Sequence, residues 1–145
     1  MEMYEQSVGH GSVLLLNNTP DPSGLIPAKD VQRAKEFGDE VKRRYGIKIA
    51  DVSGHGKEIT VQPSAPSAID AVVLMEDISQ GERIRKYVIE ARVDDQWIEI
   101  GSGTAIGHKK IDKFEPVRAS SVRLRVLESV GEPIIRRLSL HRTSS

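Results

Sequence analysis

The sequence predicts a mostly β protein, an antiparallel β-sandwich preceded by one strand–turn–helix unit. Three observations lead there. From residue 58 onward the chain is a series of short runs in which apolar and polar residues alternate, with turn residues between them. Only residues 28–45 repeat apolar side chains at the helical interval. Ahead of that helix stands Val13–Leu16, a short unbroken apolar run, the pattern of a parallel strand covered on both faces.

Each element has its own local reason. Asn17–Gly24 contains two prolines, an aspartate and a glycine, which punctuate a turn. Pro27 suits the first helical turn, where its missing N–H is not needed. In the helix, Val31, Ala34, Phe37, Gly38, Val41 and Tyr45 share one side, and Lys29, Arg33, Lys35, Glu36, Lys42 and Arg43 lie largely on the other. Lys42, Arg43 and Arg44 favour the negative end of the helix dipole, and Gly46 ends the helix.

Beyond it, residues 58–62 and 69–75 read as strands around the turn PSAPS. Arg83–Val93 sets Tyr87, Ile89, Ala91 and Val93 on one side, and Asp94–Asp95 turns the chain into WIEI at 97–100. Residues 121–127 point Val122, Leu124 and Val126 inward; residues 134–140 do so with Ile134, Leu138 and Leu140. The expected divisions are 1–46 for the strand–helix unit, 47–57 for a glycine-containing linker, and 58–145 for the sandwich.

Composition narrows the function. The chain has 145 residues, a prior for one domain, and 38% are hydrophobic, enough for a core. Its 21 basic and 21 acidic residues cancel, so nothing favours nucleic acid or an anionic membrane surface. Without cysteine there is no disulfide or thiolate metal site. No stretch approaches the roughly 18 apolar residues of a membrane span, and MEMYEQSVGHG lacks the pattern of a signal peptide. His10, His55, His108 and His141 are dispersed without zinc spacing, so no metal site is expected. The glycine-rich GHGS and SGHGK lack the context of a nucleotide loop and read as turns.

The segment SVGHGSVLLLNNTPDPSGLIPAKDVQRAKEFGDEVKRRYG resembles the end of the catalytic domain of α-L-fucosidases of glycoside hydrolase family 29. There an LLLN strand is followed by P-x-x-x-G-L-I-P and a helix of the form D-V-x-R-L-x-E-F-G. The segment VVLMEDISQGERIRKYVIEARVDDQWIEIGSGTAIGHKKIDKFEPVRASSVRLRV is similar to the discoidin-like, galactose-binding-type jelly roll that follows the barrel in many bacterial members. Both halves occur in the family's order and together cover nearly the whole chain. The resemblance implies that Val13–Leu16 and the helix are the last βα unit of a (β/α)8-like barrel, whose other staves are expected upstream of Met1.

The resemblance further implies a retaining hydrolase of α-L-fucosyl linkages in oligosaccharides or glycoconjugates. It works without a cofactor and through two carboxylates roughly 5 Å apart. Those carboxylates come from earlier barrel strands, so no catalytic residue is expected in this chain, which alone is expected to be inactive. Glu2 and Glu5 lie in a segment that reads as barrel surface or connection, and Asp21 reads as a turn aspartate bonding its own backbone. Asn17 stands at the expected strand end, where barrel sites form, and is the candidate for a supporting hydrogen bond there. The alternative is a non-catalytic carbohydrate-binding or structural module, with Trp97 and His108 as the candidate sugar contacts. Against that, core packing is the default reading of Trp97, and packing against the barrel or the neighbouring loop that of His108. The implied partners are a fucosylated glycan, met through the complete enzyme, and the missing barrel. Self-association is expected through the helix's apolar face, and a secreted or periplasmic setting is implied by the family. One departure stands out: only IADVSGHGK separates the helix from EITVQ, where the family has a longer segment.

Overall fold

The computed structural model describes residues 1–144. Two helices, α1 (Glu2–Ser7) and α2 (Ala28–Tyr45), precede eight strands. These are β1 (Ala50–His55), β2 (Glu58–Val61), β3 (Ser67–Glu76), β4 (Ile84–Val93), β5 (Gln96–Gly103), β6 (Lys110–Ala119), β7 (Ser121–Ser129) and β8 (Ile134–His141). They form two four-stranded sheets in the orders β1-β8-β3-β6 and β2-β7-β4-β5, with every pairing antiparallel. The expected sandwich is therefore present.

Alternation builds the core. Val122, Leu124 and Val126 of β7 face Tyr87, Ile89 and Ala91 of β4 across the ladder, and Val72, Leu74, Leu138 and Leu140 come from the opposite sheet. Nearly all of these side chains are withdrawn from water, each contributing about 1.5–3 kcal/mol for the larger ones. Tyr87 lies flat against Gly103, its cross-strand partner, where a Cβ would come within 2.5 Å of the phenol oxygen. At the β4–β5 turn Asp94 and Asp95 take φ of 47° and 64°, the left-handed pair that a two-residue hairpin loop requires.

Several local expectations are corrected. Residues 50–55, inside the expected linker, form β1 and pair with β8; the ladder satisfies a segment too polar to read as a strand. The strand β6 and the helix α1 were not anticipated either. Ile135, not Ile134, enters the core, because a bulge beside it puts both Arg136 and Arg137 outside.

The largest difference concerns Val13–Leu16. It forms no strand, and residues 13–20 make no backbone-to-backbone hydrogen bond among the described residues. Val13 is 88% exposed, Leu15 80% and Leu16 49%. A strand exists only through its neighbours' hydrogen bonds, and this chain offers that segment none. Helix α2 spans the expected residues up to the Gly46 cap, yet buries none of them fully. Its C-terminal half touches α1 through Phe37 and Tyr45, which meet Tyr4 at ring distances of 6.0 and 6.1 Å. Val31, in its N-terminal half, stays open to solvent.

Candidate functional site

Three junctions hold the helical unit to the sandwich. The first is Glu5 of α1, whose Oε1 accepts from Tyr45 Oη at 2.7 Å and Arg44 Nη1 at 3.1 Å. Its Oε2 accepts from Lys113 Nζ of β6 at 3.1 Å. Burial alone would raise the pKa of Glu5, but these three bonds and the Lys113 charge bring it below its ordinary value. Burial and the same carboxylate push the Tyr45 phenol upward.

The second junction is His141, a buried imidazole at the end of β8. Its Nδ1–H donates to the Ile47 carbonyl at 3.1 Å, its Nε2 accepts from Ser139 Oγ at 3.0 Å, and Tyr45 stands edge-on at 5.8 Å. Burial lowers its pKa, with Lys109, Lys48 and Arg137 adding to the effect. At the third, Arg43 Nη2 of α2 donates to the Thr143 carbonyl at 3.3 Å, and Asp70 holds that segment beyond β8 by accepting from Thr143 N at 2.6 Å, Ser144 N at 2.8 Å and the Ser144 hydroxyl. Burial would raise Asp70, but those donors bring it below the usual carboxylate value.

Another buried carboxylate organises the loops at one end of the sandwich. Glu76 is 1% exposed. Its Oε1 accepts from Arg83 N at 2.6 Å and Ile84 N at 3.2 Å, and its Oε2 from Gly107 N at 3.3 Å. Nearby, the Tyr87 hydroxyl donates to Asp112 at 2.6 Å, and burial pushes the Asp112 carboxyl upward.

The residues singled out in the sequence do not converge. Asn17 is exposed and borders a cleft of about 240 Å³ between residues 14–18 and α2. Trp97, at the start of β5, is half-buried, and the Arg123 guanidinium lies over its ring at 4.2 Å. Arg123 is in turn held by Glu90 at 2.8 Å, and Arg125 approaches the same Glu90 oxygen at 3.2 Å. The indole face is thus shared with a fixed cation rather than open. His108 is exposed in the β5–β6 loop. Trp97 pairs with Arg92 at one end of β5, and the His108 loop leaves from Gly103 at the other end. At ~3.3 Å per residue the strand separates them by roughly 20 Å, so they do not make one sugar subsite.

Asp21 accepts from Ser23 N at 2.8 Å, Ser23 Oγ at 2.5 Å and Leu25 N at 3.3 Å, which accounts for its place in the turn. Glu5 proves to be a half-buried connection from α1 to α2 and β6 rather than open surface, the second of the two readings of its segment. Sequence reasoning missed the roles of Glu5, Asp70, Glu76 and Asp112; for Asp70 and Glu76 the legible signal was an acid set inside or closing the apolar runs IDAVV and VVLME.

An assigned α-L-fucosidase from Bacteroides thetaiotaomicron VPI-5482 shares 45% identity with this chain at a TM-score of 0.95, over 97% of this chain and 33% of its own. A glycoside hydrolase 29 family member from an unknown rumen bacterium is 28% identical at a TM-score of 0.86, over 99% of this chain and 28% of that one. Among curated proteins, an assigned α-L-fucosidase 1 from Oryza sativa subsp. japonica is 26% identical, over 93% of this chain and 33% of its own length. No family model matches. The chain spans about a third of the length of the curated relatives it matches. In sequence and in fold, it is a homologue of the C-terminal part of the α-L-fucosidases of glycoside hydrolase family 29.

Proposed function

We propose that this chain supplies the last strand–turn–helix of a catalytic barrel, and the sandwich beside it, to an α-L-fucosidase. That enzyme would hydrolyse α-L-fucosyl linkages with retention, through two carboxylates that this chain does not carry. The observation that supports the reading is the state of Val13–Leu16. Three of its four apolar side chains are exposed, and its backbone has no ladder partner among the described residues. Full burial of such side chains is worth about 1.5–3 kcal/mol each, so the segment gains most from flanking strands that the chain does not provide. Those strands fit the two-thirds of the relatives' length that the chain leaves unmatched.

In this reading the sandwich acts as a brace. Glu5, His141 and the bond from Arg43 to the Asp70-held Thr143 fix α1 and the end of α2 against one sheet, and this sets the angle at which residues 12–27 leave. The uncovered apolar residues also make self-association the expected behaviour of the chain on its own.

A chimera tests it. The chain is joined behind the preceding two-thirds of the Bacteroides thetaiotaomicron relative and assayed with 4-nitrophenyl α-L-fucoside. The chimera is expected to turn over and the chain alone to be silent, and Leu15→Asp is expected to reduce the chimera's activity severely. Turnover by the chain alone, abolished by Glu5→Gln or Asp21→Asn, would refute the proposal.

A further inference from the structure

Where the helical unit meets the sandwich, a cleft of about 380 Å³ opens between His10, Glu82, the loop from Gly103 to Gly107, and Lys110. Its walls come from three separate stretches of chain, and buried structure fixes each of them. Glu76 bonds the main chain at Arg83 and Ile84 on one wall and at Gly107 on the other. Its own N–H donates to the Gly107 carbonyl at 2.9 Å. His10 is set by its bridge to Lys110 and by Nδ1–H donating to the Glu5 carbonyl at 3.1 Å, which leaves Nε2 as an acceptor. Rigid support of this kind is what a binding constellation needs.

The walls are also kept bare. Gly103 cannot carry a side chain, because its Cβ would meet the Tyr87 hydroxyl at 2.5 Å. Gly107 has φ of +62°, and a Cβ there would come within 2.7 Å of Glu82 Oε1. The polar groups around the space have unused capacity. Glu82 and Thr104 make no hydrogen bond or ion pair among the described residues, and the ion-pair partner of Lys110 Nζ, Asp112, is 3.8 Å away.

The chemistry of these groups selects a ligand class. A carboxylate only accepts, an ammonium only donates, and a hydroxyl does both. Glu82 and Lys110 carry opposite charges, so a bare cation or a bare anion would match one of them and oppose the other. A neutral compound with adjacent hydroxyls satisfies both groups at once, donating to Glu82 and accepting from Lys110. The volume is near the lower limit of small-molecule pockets, which suits one ring rather than a chain of sugars. We propose that this seam cleft binds a single neutral monosaccharide unit through Glu82, Lys110 and Thr104. The binding stands or falls independently of the fucosidase reading. Among the described residues no Phe, Tyr or Trp lines the cleft, so broad-ring stacking is absent and the affinity expected is millimolar.

The test is an amide-resolved NMR titration of this chain with L-fucose and D-galactose up to ~100 mM, with acetate and phosphate as anion probes. Saturable shifts are expected at Glu82, Thr104 and Gly107, weakened about tenfold or more by Glu82→Ala and by Thr104→Ala, and unchanged by Trp97→Phe. Both substituted side chains are exposed, so the fold should persist. The proposal is overturned if neither sugar gives saturable shifts, if the shifts centre on Trp97, if either cleft variant binds as the parent does, or if the anions alone reproduce the response.

Discussion

Removing the buried carboxylate that ties two loops together is the sharpest test of how this fold is held. In Glu76→Ala, three main-chain N–H groups lose their acceptor: those of Arg83, Ile84 and Gly107, at 2.6, 3.2 and 3.3 Å. Ile84 and Gly107 are buried, whereas Arg83 is partly exposed and can recruit water. Each orphaned buried donor costs about 1–3 kcal/mol. Two such groups give about 2–6 kcal/mol, and water entering the vacated space returns part of it, so about 3 kcal/mol is expected. With a urea slope of about 2 kcal/mol/M for a chain of this size, the midpoint should fall by about 1.5 M at unchanged slope. Glu76→Gln keeps one acceptor oxygen but turns an amide donor toward other N–H groups, and should recover only part of the loss. Urea denaturation followed by tryptophan fluorescence and circular dichroism measures both variants. A loss below about 1 kcal/mol for Glu76→Ala, or alanine and glutamine variants of equal stability, would refute the reasoning.

The other expectations concern separate parts of the molecule. Asp94→Asn with Asp95→Gly should stabilise by up to about 1 kcal/mol, since both positions hold positive φ, which costs an L residue about 1–2 kcal/mol, and the greater unfolded-state freedom of glycine returns part of that; the Arg92–Asp95 pair thereby lost is exposed and worth little, and a lowered melting temperature would count against this. His141 is neutral in its buried site, with a folded pKa below its unfolded value near 6.5, so the unfolded chain binds more protons beneath that pH. The stability it lends is therefore complete above about pH 6.5 and is lost as pH falls toward the folded pKa, and His141→Gln should flatten that part of the urea-midpoint profile. Arg123→Ala should uncover the Trp97 ring, giving red-shifted emission and faster quenching by iodide; an unchanged spectrum would mean that the guanidinium does not screen the indole.

How much of this was legible depends on whether the cause of each element lay within a few residues of it. The strands β3, β4, β7 and β8 could be read because their alternation is set by the very residues that become the core, such as Leu124 and Leu138. The helix α2 could be read from its spacing and its basic last turn. By contrast β1, with Gly54 and Ser53 in its middle, is a strand only because β8 supplies its hydrogen bonds. In β6, Lys, Asp, Glu and Pro116 hide the pattern, and Ile111 is buried beside the Gly9 backbone rather than by a local run. The six residues of α1 are too few to announce a helix in isolation.

The carboxylates behave likewise. Nothing near Glu5 foretells that Lys113 will reach it from β6, and nothing near Glu76 foretells Gly107. Trp97 and His108 are eleven positions apart in the sequence, yet the length of β5 sets them at opposite ends of a sheet.

The sequence by itself determined which stretches alternate, where the helix begins and ends, and that Val13–Leu16 is an unbroken apolar run, because these follow from side-chain chemistry at fixed backbone periods. Only the tertiary structure decided which strands are neighbours, which acids are buried, and that the apolar run finds no partner among the described residues. Those outcomes rest on contacts between residues tens of positions apart, and a local pattern carries no record of what will close over it.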